Sequence, residues 1–343
     1  MERGRVALPP GVLSMHVLPA DHHDRDWDSI IAPRQVKERL LAQALLVLRH
    51  GPRLSLLSGL PHGLLVLAGP PGTGKTTMAR GLAQVAALAL AREGATTLVE
   101  VNPHAFPSEM LGESQRNVTR LLTETVPEIA ARRPFTVVLI DEVESFAVRR
   151  SAASFEANPV DVHRATDAVL LGIDEIARKH PSVLFVTTTN FITGVDEAFL
   201  SRADLVLRFA LPDRETIARI LEHAIGELAV QWPPLHSLAR DDARIAELAA
   251  LCEGWDGRRI RKLVLAALAQ RLEVARDPAQ VTWEDFFTAA RKQGGVEWAG
   301  SAALTSREMF PDVPKELMHD HDHGHGPYVP THTHQHDDET VHP

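Results

Sequence analysis

The sequence predicts an α/β fold, in which a five-stranded parallel sheet is flanked by helices and followed by a small all-helical domain. Five short apolar runs lack the polar alternation of a half-exposed strand, which indicates strands covered on both faces. The first four runs each precede a segment with helical periodicity, and this alternation is typical of a parallel sheet. The runs lie at 64–69, 97–102, 136–141, 183–190 and 205–211.

The segments before the first strand are expected to be an arm and a helix. Residues 1–25 are interrupted by prolines and charges, and we expect an exposed N-terminal arm. Apolar residues recur at helical spacing between Trp27 and His50, and the Gly51–Pro52 pair is expected to end that helix. The α/β domain is therefore predicted to span residues 26–212.

The pattern changes after Pro212, because the remaining periodic segments are all helical. Together they predict a helical domain over residues 213–293. Periodicity fades in the extension 294–343, whose end carries eight histidines. We expect this polar tail to be disordered and any metal binding by it to be incidental, since a flexible chain lacks a preformed site. The predicted helices are 213–229, 241–252, 257–275 and 282–292.

Composition limits the function classes. The chain has 343 residues, 44% of them apolar, and a net charge of −9. A large nucleic-acid interface normally needs a basic surplus, so the charge argues against nucleic acid as the main partner. Cys252 is the only cysteine, which excludes an intrachain disulfide and fits a reduced cytoplasmic setting. No apolar stretch is long enough to predict a membrane span.

The segment GPPGTGKT fits the phosphate-loop template G-x-x-x-x-G-K-[ST], and it follows a predicted strand and opens a predicted helix. Glycines let backbone amides converge on phosphate oxygens, and the helix N-terminus adds partial positive charge. Lys75 supplies a cation for the β- and γ-phosphates, and the Thr76 hydroxyl can bind magnesium. The alternative is an ordinary glycine-rich turn. The predicted nucleotide-binding residues here are Pro71, Gly72, Thr73, Gly74, Lys75, Thr76 and Thr77.

Two adjacent acids, Asp141 and Glu142, end the apolar run TVVLI. Ligands of open α/β sheets lie at this edge of the strands. Two neighbouring carboxylates repel one another unless a cation is close, so we predict that Asp141 helps to bind magnesium and that Glu142 orients the attacking water. The alternative is that one acid caps the next helix. A strand–helix unit at 97–131 separates the two motifs, which places an extra strand between their strands.

Three further polar positions are candidates for the same site. Asn190 ends the strand VLFVTTTN, and Arg202 precedes the last strand. The segment GRRIRK places Arg258 in a basic cluster at a helix N-terminus, where positive charge opposes the helix dipole and therefore suggests an anionic ligand. Taken one by one, the alternatives are a turn-capping asparagine, a solvated surface arginine and a solvated basic face.

The order GPPGTGKT, LIDE, TTTN, FLSRAD, GRRIRK resembles that of AAA+ ATPases over about residues 26–293. The resemblance implies a ring, a homo-hexamer by expectation, with ATP and Mg²⁺ bound between subunits. Each site would take its arginine finger from the neighbouring subunit. By this resemblance the Walker A residues are Lys75 and Thr76, the Walker B residues Asp141 and Glu142, sensor 1 Asn190, the arginine finger Arg202 and the sensor-2 residue Arg258.

A closer resemblance is to the pachytene checkpoint protein 2 family. The segments IDEVES, FLSRADLVLRF and WDGRRIRKL are similar to those of this family, as is the stretch VEVNPHAFPSEMLGES. It implies a remodeller of HORMA-domain clients that, in bacteria, switches off anti-phage signalling by a cyclic-nucleotide synthase. The expected substrate pore loop comprises Glu109, Met110 and Leu111, although a bulky aromatic residue is usual there, and 149–162 is a candidate second pore loop.

Other hypotheses remain open at this stage. In one, the chain is an ATPase that acts on a different client protein, as an unfoldase or an enzyme-reactivating chaperone does. Another is a nucleotide-gated binding module or a DNA-associated loader, which the acidic balance disfavours. The family's animal members carry an N-terminal adaptor-binding domain, and only about 25 residues precede the module here. We therefore expect direct engagement of the client rather than docking through an adaptor.

Overall fold

The computed structural model describes residues 8–54, 61–101, 113–145, 147 and 159–292. Within these ranges the chain forms one mixed sheet of six strands, which are β1 Val12–Leu18, β2 Leu64–Ala68, β3 Thr96–Val101, β4 Phe135–Ile140, β5 Val183–Thr189 and β6 Leu205–Arg208. Their order in the sheet is β1-β3-β4-β5-β2-β6. The five predicted strands are all present and pair in parallel, and β1 pairs antiparallel with β3. The strand between the two motif strands β2 and β4 is β5, whereas β3, from the unit 97–131 that was expected there, lies on the other side of β4.

Strand β1 corrects the prediction of an exposed arm over residues 1–25. Met15 lies opposite Val99 of β3, and Leu18 is fully buried in the core. The sequence concealed this strand because its half-buried face carries Ser14 and His16, so the hydrophobic alternation of a strand is missing. The pairing depends on a partner strand about 80 residues away, which a local pattern cannot show.

The helices follow the predicted order, with three differences in extent. The helix that was expected to end at the Gly51–Pro52 pair continues through it to Leu54. The expected helix between Trp27 and His50 is interrupted at residues 30–33, because Pro33 disfavours helical backbone in the residue before it. The expected helix 257–275 breaks at Arg271, whose backbone is extended and whose guanidinium reaches a later helix. The helices are α1 Asp26–Ser29, α2 Arg34–Leu54, α3 Lys75–Leu90, α4 Glu113–Arg120, α5 Val126–Ala130, α6 Pro159–Lys179, α7 Glu197–Ser201, α8 Arg214–Ala229, α9 His236–Ala239, α10 Asp242–Leu251, α11 Gly257–Leu268, α12 Leu272–Arg276 and α13 Trp283–Lys292.

Three apolar clusters hold these elements together. One face of the sheet packs against α2 and α3, and the opposite face packs against α4, α5 and α6. Strands β2, β3, β4 and β5 are buried along their length on both faces, which explains their continuous apolar sequences, whereas the edge strands β1 and β6 are partly exposed. The third cluster joins α8, α10, α11 and α13 into a separate helical core. The phosphate-loop sequence lies where the sheet meets this helical core.

Candidate functional site

The loop between β2 and α3 has the backbone that its glycines permit. Gly72 and Gly74 have φ angles of 77° and 90°, in the left-handed region that disfavours other residues. A Cβ atom on Gly72 would lie 2.0 Å from the Asp256 Oδ1 atom. The first turn of α3 then begins at Lys75, so the helix N-terminus faces the space enclosed by the loop. This is the geometry that binds phosphate through backbone amides.

Lys75 is held over the loop by three acceptors. Its Nζ atom donates to the carbonyl oxygens of Gly69 and Pro70, both at 2.8 Å, and to Asn190 Oδ1 at 2.9 Å. Only 6% of the residue is exposed. Burial lowers the pKa of the Lys75 ammonium, and the nearby Asp141 carboxylate partly offsets that change. Phosphate oxygens could replace these neutral acceptors and compensate the buried charge more fully.

Asp141 follows β4 and accepts hydrogen bonds from two hydroxyl groups. Thr76 Oγ1 donates to Asp141 Oδ1 at 2.8 Å, and Thr188 Oγ1 donates to the same oxygen. A hydroxyl and a carboxylate side by side are hard oxygen donors of the kind that bind Mg²⁺ together with phosphates and water. The residues present therefore fit a magnesium ion. Thr188 was not predicted, and only the pairing of β5 with β4 brings it here.

Glu142 has an unusual backbone for a residue with a side chain, with a φ angle of 54°. Its backbone N–H donates to Thr188 Oγ1 at 3.1 Å, and its Oε1 atom accepts from Asn190 Nδ2 at 3.2 Å. A strained backbone of this kind persists where the surrounding structure enforces it, and such positions cluster at functional sites. Asn190 thus links Lys75 and Glu142 through the two ends of one amide.

Glu144 is a second acid that the sequence analysis did not select. Its Oε1 atom accepts from the backbone N–H of Asn190 at 2.9 Å. Its Oε2 atom is buried and has no hydrogen-bond partner among the described residues. The motif DEVES contained the signal, because Glu144 lies two residues beyond Glu142. Glu144 therefore holds the backbone of Asn190, whose side-chain amide bonds to both Lys75 and Glu142.

The helical region closes the other side of the phosphate loop. The Arg258 N–H donates to Gly72 O at 3.1 Å, and the Asp256 carboxylate caps α11 by accepting from the Arg259 N–H at 3.0 Å. A cavity of about 860 Å³ opens beside this contact. Thr73 of the loop, Thr77 of α3 and Arg258 line it. Its apolar lining comes mainly from Ile30, Ile31, Ala210, Leu211, Ile220 and Leu265.

This cavity has the size and lining of a nucleoside site. Its volume lies within the range of small-molecule pockets, and the apolar wall adjoins a phosphate-binding loop. Ile30 and Ile31 were not predicted as site residues, and they lie in the segment between α1 and α2. Their approach to the loop is a tertiary contact: a Cβ atom on Gly74 would lie 2.5 Å from Ile30 Cδ1.

The other arginines of the basic cluster have partners elsewhere. The guanidinium of Arg259 lies over the Trp255 ring at 3.9 Å from its centroid. Arg261 donates to Glu227 Oε2 and to Ser29 O, both at 2.8 Å. Arg259 therefore has a local structural role, whereas Arg258 and Arg261 both line the cavity, and Arg261 is held there by Glu227 and Ser29.

Arg202 lies away from this network. It donates from Nε and Nη2 to the Asp174 carboxylate on α6, at 2.7 and 2.8 Å, and from Nη1 to Ala198 O at 2.9 Å. The Arg202 hydrogen bonds lower the pKa of Asp174, and His62 also lies 3.4 Å from that carboxylate. The described contacts of Arg202 are therefore with α6 and α7 rather than with the phosphate loop.

The structure thus brings together most of the predicted nucleotide-site residues. Within one chain it juxtaposes Lys75, Thr76, Asp141, Glu142 and Asn190, with the Arg258 backbone contacting the loop. Pro71 is exposed on the loop between Pro70 and Gly72.

Other predicted sites lie outside the described residues. These are the pore loop Glu109, Met110 and Leu111, most of the second pore-loop candidate at 149–162, and the histidine-rich tail.

Comparison with known proteins decides the family. The model of the family "ATPase family associated with various cellular activities (AAA)" matches residues 65–211. CD-NTase-associated protein 6 of Pseudomonas aeruginosa is 41% identical over 296 residues, which cover 84% of this chain and 96% of that protein. The chain belongs to the AAA ATPase family. The pachytene checkpoint protein 2 homolog of Arabidopsis thaliana is 31% identical over 317 residues, covering 83% of this AAA ATPase and 67% of the relative.

Solved structures share its fold. "Structure of C. elegans PCH-2" matches with a TM-score of 0.66 at 24% identity, covering 83% of this chain and 76% of the other. "Structure of E. coli MS115-1 HORMA:CdnC:Trip13 complex" matches with a TM-score of 0.66 at 19% identity, covering 82% and 95%. The predicted P-loop α/β fold with a C-terminal helical region is confirmed, and so is the resemblance to the pachytene checkpoint protein 2 relatives.

Family membership also confirms two functional predictions. The chain is an ATPase, and it binds nucleotide. Among the described residues, no helix is both long and apolar enough to cross a membrane.

Proposed function

We propose that this AAA ATPase hydrolyses ATP with Mg²⁺ in the cytoplasm and uses the energy to remodel a HORMA-domain client. The client's complex with a cyclic-nucleotide synthase would be disassembled, which would switch off anti-phage signalling. Two relatives support this choice: one is named CD-NTase-associated protein 6, and another was solved as a HORMA:CdnC:Trip13 complex. The observation that carries the ATPase part is the network through which Asn190 joins Lys75 to Glu142.

The binding step rests on the phosphate loop and on Lys75. The loop amides and the Lys75 ammonium would hold the β- and γ-phosphates, and the apolar wall at Ile30 and Ile31 would cover the base. Thr76 and Asp141 would hold Mg²⁺, which neutralises phosphate charge when it is bound. Closure of the helical region would follow from the Gly72–Arg258 contact, since this backbone bond joins the loop to α11.

The hydrolysis step rests on Glu142. Its carboxylate would orient and polarise the attacking water, while Asn190 holds the carboxylate by the bond to Oε1. Asn190 also bonds to Lys75, so a phosphate oxygen that displaces this bond would change the position of Asn190. Nucleotide binding is thereby coupled to the orientation of the water-activating acid.

Assembly would complete the site. We propose a homo-hexamer in which Arg202 reaches the γ-phosphate bound by the neighbouring subunit. The pore loop 109–111 would grip the client. The α/β domain would span 26–212 and the helical lid 213–293. The ion pair with Asp174 supports an edge position for Arg202, because it keeps the guanidinium beside α6 instead of over its own phosphate loop.

The substitution Glu142→Gln tests the assignment of the acid. Gln keeps the hydrogen bond from Asn190 but is a far weaker base. We expect ATP binding within about twofold of the parent and hydrolysis reduced by about 10²-fold or more. Binding would be measured by calorimetry and turnover by phosphate release. Turnover at the parental rate would contradict the role given to Glu142.

The same variant tests the client. A bound but uncleaved nucleotide should trap the complex with a purified HORMA-domain protein. If a HORMA-domain protein is encoded beside this gene, it is the first candidate. The double variant Lys75→Ala/Glu142→Gln is the matched control, because it cannot bind ATP and should release the client. Equal recovery of client by both variants, or none by either, would argue against this client while leaving the ATPase assignment intact.

A further inference from the structure

Three histidines meet beside the edge strand β1, outside the nucleotide site. His16 lies on β1, and His22 and His23 lie in the 3₁₀ turn Asp21–His23 that follows the strand. One ligand nitrogen from each can be chosen such that all three lie within 4.8 Å of one another. The ring centroids are 4.1 Å apart for His22 and His23, and 4.8 Å apart for His16 and His22.

His23 has the hydrogen bonding of a metal ligand. Its Nδ1 atom lies 2.9 Å from Asp26 Oδ2, and a carboxylate can only accept, so Nδ1 carries the proton. In the neutral ring with the proton on Nδ1, the Nε2 atom has a lone pair. His23 is 6% exposed, and Nε2 is buried without a hydrogen-bond partner among the described residues. A carboxylate on one ring nitrogen commonly orients a histidine whose other nitrogen binds a metal.

The backbone around the three rings is fixed from two sides. Antiparallel pairing places His16 opposite Leu98 on β3. The buried Gln84 of α3 accepts from the Ala20 N–H at 3.0 Å and donates to Asp24 Oδ1 at 2.6 Å, so it holds the turn at both ends. The ligand positions are therefore organised by the folded chain before any ion binds.

Edge-on packing of three imidazole rings is the simpler explanation for the cluster. The His16 and His23 rings do lie nearly perpendicular, at 83°. Ring packing leaves the bare Nε2 atom of His23 unexplained, because a buried nitrogen that loses its contact with water needs a replacement partner. A metal ion supplies that partner and also explains why the nitrogens of three rings converge.

We propose that His16, His22 and His23 bind a divalent transition-metal ion of the Zn²⁺ class, with Asp26 orienting His23. Three imidazoles leave a fourth tetrahedral position for water. Nitrogen ligands of tetrahedral Zn²⁺ lie about 3.3 Å apart, given Zn–N bonds of about 2.0–2.1 Å. The exposed His22 side chain can close the remaining gap by rotation. The ion would fasten β1 to the turn after it and takes no part in ATP hydrolysis.

Metal binding by the full-length chain tests the proposal. The eight histidines at 319–342 could bind metal themselves, so all eight are first changed to asparagine. Zn²⁺ uptake is measured by equilibrium dialysis with metal analysis, with Mg²⁺ as the control ion. We expect about one Zn²⁺ per chain, and a Tm that rises with Zn²⁺. Bound Co²⁺ should show the intense visible absorption of a four-coordinate site.

Single substitutions in that chain identify the ligands. His22→Gln should weaken Zn²⁺ binding by about 10²-fold and abolish the Tm rise, without affecting folding, because His22 is exposed. Asp26→Asn should weaken binding by about 10–100-fold. His236→Gln, an exposed histidine on α9, is the matched control and should change nothing. ATP hydrolysis should stay at the parental rate in all three.

Two outcomes would overturn the proposal. One is a chain without tail histidines that takes up less than about a tenth of an equivalent of Zn²⁺ at micromolar free ion. The other is a His22→Gln variant that binds as much metal, with the same Co²⁺ spectrum, as its parent. Either result would assign the three rings to packing alone, and neither would bear on the ATPase.

Discussion

Carboxylates in the sheet region and in the helical region differ in how completely they are satisfied. Asp285 of α13 accepts two bonds from Arg271, at 2.7 and 2.9 Å, and two from Thr282, both at 2.9 Å. These donors, led by Arg271, lower the pKa of Asp285 to about 2. At the end of β4, Asp141 accepts from neutral hydroxyls, and Glu144 has a buried oxygen without a partner in the described structure.

The contrast separates a structural acid from acids available for ligands. Asp285 has a full set of donors and a permanent cation, so its charge is already compensated. At the sheet edge, Asp141 and Glu144 lie near the Lys75 ammonium, and Glu144 keeps a buried oxygen without a partner among the described residues. A group that keeps unused acceptor capacity at a cleft can bind a cation or a water molecule. Substitutions at the sheet edge should therefore reduce turnover, and substitutions at Asp285 should reduce stability.

Arg202→Ala is expected to have the largest effect on turnover, because a missing arginine finger costs about 10³-fold or more. ATP binding by each subunit should be retained. Phosphate release and nucleotide binding are measured on the same sample. Asp174→Asn is the matched control, since it breaks the same ion pair and keeps the guanidinium. It should retain at least parental turnover.

Mixing two inactive variants distinguishes a site shared between subunits from a loss of activity through destabilisation. Lys75→Ala cannot bind ATP but still carries Arg202, so adding it to Arg202→Ala should restore part of the turnover. No rescue at any ratio would refute a site shared between subunits. An equal loss in Asp174→Asn would show instead that the ion pair, rather than the guanidinium, supports activity.

Gly72→Ala should weaken ATP binding by about tenfold or more. Alanine disfavours a φ angle of 77°, and its Cβ would collide with the Asp256 carboxylate. Adding Asp256→Ala removes the collision but leaves the backbone strain, so recovery should be partial. Gly226→Ala on α8 is the control, because nothing lies within 4 Å of that Cβ. If Gly72→Ala bound ATP normally, the loop would not need its left-handed backbone.

Asp285→Asn should leave turnover within about twofold of the parent and lower the free energy of unfolding by about 1–2 kcal/mol at pH 7, allowing for the half-exposed Arg271. The folded pKa lies below the ordinary 3.8, so this stabilisation is present above about pH 4 and is lost as the pH falls toward 2.

Urea unfolding between pH 5 and pH 3 measures this linkage. The parent should lose stability more steeply than the variant over that interval. Parallel curves would show that the ion pair contributes nothing beyond hydrogen bonding. A large loss of ATPase activity in the variant would remove the distinction between the two regions.

The sequence by itself determined the parallel sheet, its five core strands and most of the residues at the nucleotide site. Fully buried strands are continuous apolar runs, and the phosphate loop is a short segment whose glycines, lysine and threonine must be contiguous. Asp141 and Asn190 were predictable for a related reason: each ends such a strand, and the carboxyl ends of parallel strands share one edge.

Only the tertiary structure decided the partners of these residues. Thr188 joins the site through the pairing of β5 with β4, and Glu144 joins it by accepting from the Asn190 N–H. Ile30 reaches the loop from a segment more than 40 residues earlier. Strand β1 and the three-histidine cluster were hidden because edge pairing with β3 leaves little periodicity in the strand itself. Local chemistry specifies which groups are present, whereas long-range packing selects which of them meet, because contacts between distant segments leave no mark on either segment alone.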